Sequence, residues 1–266
     1  MAEWLRRGLQ ILARRFDSGS GLQPLTDRTG DPAMIEAEWW DAESEAEMTA
    51  SVAGDVAFII ESALDARGDA LIALPGGKTP VPILEKLAAA KLNWKRVTIV
   101  PTDDRLVAVD SPLSNVAMLA RIFLPKGARV LPLGSDNPDY KAAGRAADAR
   151  LQDVHWPPDL VWLGMGEDGH TASIFAGPDL DEALNGPKER RALGVLPEPL
   201  PTDAPVARVT LSKAAILSAR TVLVVITGDK KRQLLEKALD DGPLSDVPIG
   251  RVLADVSVPV DIHWRR

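Results

Sequence analysis

The sequence contains no cysteine, and this absence excludes several kinds of chemistry. Among 266 residues without a single thiol, disulfides, iron–sulfur clusters and zinc sites built on thiolates cannot form. Histidine is almost as scarce, because only His155, His170 and His263 occur, far apart along the chain. A metal site built from histidines alone is therefore not expected. We predict that the protein uses neither a metal nor another cofactor.

Basic residues are fewer than acidic residues. The 31 lysines and arginines are outnumbered by 38 aspartates and glutamates, which gives a net charge of −7. Without a basic surplus the surface cannot neutralise a nucleic-acid backbone, although a local basic pocket remains compatible with this charge. No apolar run approaches the roughly 20 residues of a membrane helix. We therefore expect neither nucleic acid nor membrane as a partner, and we expect a cytoplasmic location.

The first 34 residues differ in composition from the rest. Residues 1–16 are basic and amphipathic, and residues 17–30 are rich in serine, glycine and threonine. This profile is typical of an organelle transit peptide or of a helix at a membrane interface. It also fits an extension without function, with Met34 as the natural start, which is the interpretation we favour. We predict an extension over residues 1–34, disordered or a single basic helix, before a domain of residues 35–266.

From residue 35 onward, strand-like and helix-like patterns alternate. Strands are predicted at residues 36–40, 70–74, 97–100, 129–133, 160–163, 208–211, 221–226 and 258–262. Helices are predicted at residues 42–66, 80–90, 116–122, 138–154, 214–218 and 229–240. Residues 177–205 are rich in proline, glycine and charge, and are predicted to be loop. The alternation predicts a single α/β domain with a mostly parallel sheet and helices on both faces.

The most informative loop, residues 164–173, follows a predicted buried strand and is expected to precede a helix. It combines glycines, acids, hydroxyls and His170. Histidine can take a proton from water and return it, and glycines bring backbone N–H groups close to a ligand. A lone histidine usually only caps a helix, but Asp168, Gly169 and Ser173 beside it make that alternative weaker. We predict that His170 is catalytic and that Asp168 takes part.

Three other loops look suited to an anion. Carboxyl ends of parallel strands meet at one edge of a sheet, so loops distant in sequence can form one site. Glycines before a helix, together with lysine or arginine, favour phosphate or carboxylate. Each loop alone also fits a plain turn or a solvated helix face. The predicted substrate-binding residues are Gly76, Gly77, Lys78, Thr79, Asp103, Arg105, Asn115, Gly169, Arg208 and Lys231.

Taken together, the motifs resemble the 6-phosphogluconolactonase family from about residue 38 to the carboxyl terminus. The matching segments, in chain order, are PGGKTP, DDRLV, SNVAM, LGMGEDGHTASIF, RVTLS and ITGDKKR. The fourth is nearly the family signature, and the order and spacing of all six are specific. The chain departs from the family at Lys78, where serine is common, and at Asp104, where glutamate is usual. It departs again at Ala176 and Lys230, where proline and an acid are frequent.

The resemblance implies a Rossmann-like sheet and metal-independent hydrolysis of 6-phosphoglucono-1,5-lactone to 6-phosphogluconate, in the oxidative pentose phosphate pathway. His170 would be the general base that activates water, with Asp168 orienting the loop or the imidazole. Backbone N–H groups of the Gly76–Gly77 loop or of the Gly169 loop would hold the oxyanion. The phosphate would be held by cationic side chains, and no covalent nucleophile is needed. These cations are Arg105, Arg208 and Lys231, with Lys78 as an addition.

Two alternatives share the implied fold. Glucosamine-6-phosphate deaminases carry the same Asp-Gly-His sequence, but continue with Ile-Ala-Phe-Asn-Glu-Pro where this chain has Thr171-Ala172-Ser173-Ile174-Phe175. Some regulators sense sugar phosphates with this fold and an attached DNA-binding module, for which the basic residues 1–16 are too short. We therefore favour a lactonase acting on a small sugar-phosphate lactone. Whether it is a monomer or a dimer is open.

Overall fold

The computed structural model of the chain describes residues 37–134 and 137–266. The extension predicted for residues 1–34 lies outside the described residues, and so does the predicted start of the domain at residue 35. The division of the chain at this point stays a prediction.

The central layer is a parallel sheet of seven strands. Its strands, from one edge to the other, are β1 (Ala37–Ala42), β10 (Val260–Arg265), β9 (Val222–Thr227), β6 (Leu160–Leu163), β2 (Ala70–Leu74), β3 (Val97–Pro101) and β5 (Arg129–Val130). Every residue of β2 and of β6 is buried. Continuous apolar runs of this kind form where both faces of a parallel sheet are covered. The prediction of a mostly parallel sheet is confirmed.

Helices cover both faces of this sheet. They are α1 (Glu45–Arg67), α2 (Val81–Ala88), α3 (Asn115–Phe123), α4 (Tyr140–Gln152), α5 (Leu180–Asn185), α6 (Lys213–Leu217), α7 (Asp229–Asp241) and α8 (Pro248–Leu253). The buried apolar residues form two clusters, one with Ile72 and the first three helices, the other with Leu71 and the remaining five. Because neighbouring residues of a strand point to opposite faces, β2 contributes to both clusters. The predicted helices on both faces are confirmed.

A second, smaller sheet was not foreseen from the sequence. It is antiparallel, with β4 (Asp103–Arg105), β8 (Arg208–Leu211) and β7 (Ala192–Val195) in this order. The prediction of loop over residues 177–205 is wrong here, since this stretch contains α5 and β7. Gly194 of β7 packs so closely on α4 that a Cβ would lie 1.7 Å from the carbonyl oxygen of Tyr140. That contact and the pairing with β8 stabilise β7, and neither is visible in its local sequence.

Two smaller expectations also need correction. The strand predicted for residues 129–133 ends at Val130, shortly before Pro132, which has no N–H to donate to a ladder. No helix directly follows residues 164–173, because α5 begins only at Leu180. Helix α8 was not predicted. Over the described part of the chain, no helix is both long enough and apolar enough to cross a bilayer.

Candidate active site

A cavity lies at the point where the order of strands in the parallel sheet changes direction. From β2 the sheet extends through β3 to β5, whereas from β6 it extends the other way through β9 to β10. Ligands of open α/β sheets bind at such a switch point, outside the carboxyl ends of the strands. The cavity has a volume of about 290 Å³ and is lined by the loops after β2, β3, β6 and β9.

Most of the residues predicted from sequence meet in this cavity. Those that line it are Gly76, Gly77, Lys78, Thr79, Asp103, Arg105, Asn115, His170, Arg208 and Lys231. Asp168 and Gly169 do not line it. Asp203 and Ala172 do, although neither was predicted. Asp203 belongs to the stretch that was predicted as featureless loop, and no local signal distinguishes it from the other acids of that stretch.

The imidazole of His170 is held by the carboxylate of Asp168. Nδ1 of His170 lies 2.5 Å from Oδ1 of Asp168, and the same oxygen accepts the backbone N–H of His170 at 3.2 Å. The hydrogen bond with His170 lowers the pKa of Asp168 below its usual value. An ionised carboxylate on Nδ1 keeps the proton on that nitrogen, so Nε2 is the basic nitrogen. The i, i+2 contact that the sequence could not establish is therefore formed.

Two glycines of the His170 loop (residues 164–173) allow this geometry. A Cβ at Gly166 would lie 2.3 Å from the ring of His170 and 2.5 Å from Oδ1 of Asp168. Gly169 has φ of 76°, and a Cβ there would lie 2.5 Å from the Cβ of Val247. Neither position has room for a side chain. The loop can bring its backbone against the imidazole only with glycine at these positions.

Two arginines stand side by side at the other wall of the cavity. Arg105 and Arg208 are directly opposite each other in the β4–β8 pairing. Nη1 of Arg105 donates to Oδ1 of Asn115 at 2.8 Å and to the carbonyl of Leu113 at 3.0 Å. The Nε atoms of both arginines are buried and have no hydrogen-bond partner among the described residues. Because both guanidinium groups line the cavity and carry the same charge side by side, the pair favours an anion there.

The Gly76 loop (residues 76–79) adds further donors. Among the described residues, none accepts a hydrogen bond from the backbone N–H groups of this loop, which immediately precedes α2. Such N–H groups at the start of a helix attract negative charge. Asn115 packs on the loop, because a Cβ at Gly76 would lie 1.9 Å from its Oδ1. Across the cavity, Nζ of Lys231 donates to the carbonyl of Met165 at 2.5 Å, which places this ammonium beside the His170 loop.

A buried acid anchors the helix that carries Asn115. Asp104 accepts backbone hydrogen bonds from Asn115 at 2.7 Å and Val116 at 3.3 Å, the first two residues of α3. Burial raises the pKa of Asp104 to about 6, and the neighbouring charge of Asp103 raises it as well. Within the described residues, no group of three or more histidines and acids is arranged to hold a metal ion.

The fold and this cavity define a doubly wound α/β enzyme whose site combines a histidine–aspartate pair with cations for a small anionic substrate. A family described as glucosamine-6-phosphate isomerases/6-phosphogluconolactonase matches residues 43–264. The chain belongs to this family.

Individual relatives agree with this assignment. A 6-phosphogluconolactonase of Pseudomonas putida is 37% identical over 221 residues, which cover 82% of this chain and 88% of that protein. One of Mesorhizobium japonicum is 35% identical, covering 82% and 91%. The crystal structure of a 6-phosphogluconolactonase from Shewanella baltica superposes with a TM-score of 0.80 at 31% identity, covering 88% of this chain and all of that one. The resemblance inferred from the motifs is confirmed, and so is the Rossmann-like fold.

Proposed function

We propose that the protein hydrolyses 6-phospho-D-glucono-1,5-lactone to 6-phospho-D-gluconate, as a lactonase of the oxidative pentose phosphate pathway. The relatives named 6-phosphogluconolactonase support this substrate. The observation that carries the proposal is the coexistence of two groups in one cavity. One is His170, whose Nδ1 is held by Asp168 from outside the cavity lining, and the other is the adjacent guanidinium groups of Arg105 and Arg208.

In the proposed reaction His170 acts first as base and then as acid. Nε2 takes a proton from water while the resulting hydroxide adds to the lactone carbonyl carbon. The tetrahedral intermediate then collapses, the bond between this carbon and the ring oxygen breaks, and the imidazolium returns its proton to that oxygen. Asp168 stabilises the imidazolium between the two steps, as a carboxylate on Nδ1 does in hydrolytic triads. The carboxylic acid product finally loses a proton to solvent.

The oxyanion of the intermediate needs donors that are in place before the reaction. Of the two loops considered from sequence, the backbone N–H of Gly169 already donates to the carbonyl of Gly166 at 3.2 Å. The N–H groups of the Gly76 loop have no such acceptor within the described part of the chain, and the residues of this loop line the cavity. We therefore assign the oxyanion to the Gly76–Gly77 backbone. We assign the permanent charge of the phosphate to Arg105, Arg208 and Lys231, with Lys78 as a further cation.

Water, not a serine, is the nucleophile in this scheme. Thr171 and Ser173 are the hydroxyls that follow His170, but both are buried; Thr171 donates to the carbonyl of Gly164 at 2.8 Å and Ser173 to Oδ2 of Asp103 at 2.5 Å. Neither oxygen has access to a lactone in the cavity. An activated lactone is an easily cleaved ester, so general-base catalysis is sufficient. The cytoplasmic location and the choice between monomer and dimer stay predictions.

The test is direct hydrolysis of freshly prepared lactone, followed by acid release. The wild-type protein should accelerate the reaction over buffer, and His170→Ala should lower kcat by at least about a hundredfold. His155→Ala is the matched control, since His155 is exposed and lines a different cavity at the opposite edge of the sheet. No acceleration by the wild type, or full activity of His170→Ala, would refute the proposal. Ammonia release from glucosamine 6-phosphate would favour the deaminase instead.

A further inference from the structure

The backbone immediately after His170 forms a tight turn in a strained conformation. Thr171 and Ile174 form an isolated antiparallel bridge, and the N–H of Ile174 donates to the carbonyl of Thr171 at 2.9 Å. Between them, Ala172 has φ of 48° and is the one non-glycine residue with positive φ in the described part of the chain. A residue with a Cβ keeps this conformation only when its surroundings enforce it. The contacts that enforce it therefore matter.

Ser173 fastens this turn to the small antiparallel sheet. Its hydroxyl donates to Oδ2 of Asp103 at 2.5 Å and accepts from Nη1 of Arg208 at 3.5 Å. Its backbone N–H donates to Oγ1 of Thr210 at 3.1 Å. All four side chains are buried. One residue thus joins the catalytic loop to both strands, β4 and β8, that carry the arginines.

Phe175 makes a second connection between the same two groups. Its ring stacks on the imidazole of His170, with the ring centroids 4.1 Å apart and the planes inclined by 27°. The guanidinium carbon of Arg208 lies 5.0 Å from the centroid of the same phenyl ring. Contacts of both kinds are favourable for an aromatic face. The phenyl ring is therefore in contact with the base and with the phosphate-binding cation at once.

These contacts have a geometric consequence. His170 follows a strand of the parallel sheet, whereas Arg208 lies on the antiparallel sheet, so neither sheet alone sets the spacing between imidazole and guanidinium. In a cyclic lactone, the distance from carbonyl carbon to phosphorus is restricted by the ring. We propose that Ser173 and Phe175 are positioning residues that match the spacing of His170 and Arg208 to this distance, and that they thereby select the phosphorylated lactones that react. The inference rests on the proposed function.

The experiment uses two lactones and one product. Phe175→Leu removes the aromatic face, Phe175→Tyr preserves it as the matched control, and Ser173→Ala removes the hydroxyl. Each variant is assayed on 6-phosphoglucono-1,5-lactone and, at high enzyme concentration, on unphosphorylated glucono-1,5-lactone. Binding of 6-phosphogluconate is measured by calorimetry. Thermal unfolding confirms that each variant is folded.

The two variants should slow hydrolysis of the phosphorylated lactone more than hydrolysis of the unphosphorylated one. Phe175→Leu and Ser173→Ala should lower kcat on the phosphorylated lactone by about tenfold or more, with the Kd of 6-phosphogluconate changed by less than about twofold, because displacement of a bound group by an ångström is enough to impair reaction. The rate on the unphosphorylated lactone should fall clearly less, since this lactone is fixed only by the oxyanion donors and can move with the base. Phe175→Tyr should behave as wild type.

Equal losses on both lactones would show a merely loosened loop and would overturn the inference. So would a Phe175→Tyr variant as impaired as Phe175→Leu, or wild-type kcat in both Phe175→Leu and Ser173→Ala. The variant Arg208→Met distinguishes a failure of this inference from a failure of the proposed function. It should raise KM for the phosphorylated lactone alone. If Arg208→Met leaves the preference between the two lactones intact, the proposed phosphate site itself is wrong.

Discussion

Replacing the buried carboxyl group of Asp104 should change how the stability of the protein depends on pH. The side chain is 1% exposed and accepts three backbone hydrogen bonds, from Arg105, Asn115 and Val116, at 2.9, 2.7 and 3.3 Å. These donors favour the ionised form, whereas burial and the adjacent Asp103 disfavour it. Burial is the largest effect, and the pKa of Asp104 rises from 3.8 to about 6.

The direction of the pH dependence follows from the pKa of Asp104 in the unfolded chain and in the folded protein. The folded protein binds the proton of Asp104 more tightly than the unfolded chain does, so the stabilisation is complete below about pH 4 and is lost as the pH rises through about 6. A difference of about two pKa units corresponds to about 3 kcal/mol in the free energy of unfolding. This is a large fraction of the stability of a typical domain.

Urea unfolding from about pH 4 to about pH 8 measures the effect, because the midpoint and slope give the free energy at each pH. Relative to Asp104→Asn, the free energy of unfolding of the wild type should fall by about 2 kcal/mol between about pH 4 and about pH 7. Asp110→Asn, at an exposed position, is the control. Its free energy of unfolding should depend on pH in the same way as that of the wild type. A difference in the free energy of unfolding between wild type and Asp104→Asn that does not change with pH would refute the reasoning. If the wild type instead becomes more stable relative to the variant as the pH rises, the backbone donors affect the pKa of Asp104 more strongly than burial does.

Three further changes test other contacts. Gly166→Ala should lower kcat while the Kd of 6-phosphogluconate stays near the wild-type value, because the added methyl would displace the ring of His170. Asp168→Asn should lower kcat by about two to four orders of magnitude in steady-state kinetics, since an amide cannot stabilise the imidazolium. Arg67→Ala should reduce the free energy of unfolding by about 2 kcal/mol in urea, because the buried Asp159 loses its closest cation.

Each of these expectations has a contrary outcome. Weakened product binding by Gly166→Ala with unchanged kcat would place the steric effect away from the imidazole. Full activity of Asp168→Asn would mean that the carboxylate has no part in proton transfer. Unchanged stability of Arg67→Ala would mean that Arg220, whose Nε is 3.5 Å from Oδ1 of Asp159, is a sufficient partner by itself.

Much of the parallel sheet was predictable because its signals are local. The all-apolar runs of β2 and β6 mark strands that are buried on both faces. Helix α1 is capped at its start by Ser44, whose side chain accepts the N–H of Glu47, and at its end by Gly68 with φ of 78°. Such caps are specified by residues within one turn of the helix. The loops at the carboxyl ends of parallel strands then had to converge.

The antiparallel sheet was not predictable in the same way. Strand β4 has the sequence Asp-Asp-Arg, which is typical of a solvated turn, and β7 contains a glycine. Both are strands because β8 pairs with them, and β8 lies far from β4 in sequence. Short strands derive their stability from cross-strand neighbours and from burial more than from intrinsic preference. No window of the sequence contains this information.

The sequence by itself determined the alternating α/β architecture, the family and the residue types of the site, since these depend on periodicity, turn residues and motif order. Only the tertiary structure decided that Asp168 holds Nδ1 of His170 and that Arg105 stands opposite Arg208. It also decided that Ser173 and Phe175 connect the base to Arg208. The physical reason is that hydrogen bonds and ring contacts act over a few ångströms. Which side chains come that close is set by strand register and by the backbone angles of one loop, both of which require the folded chain.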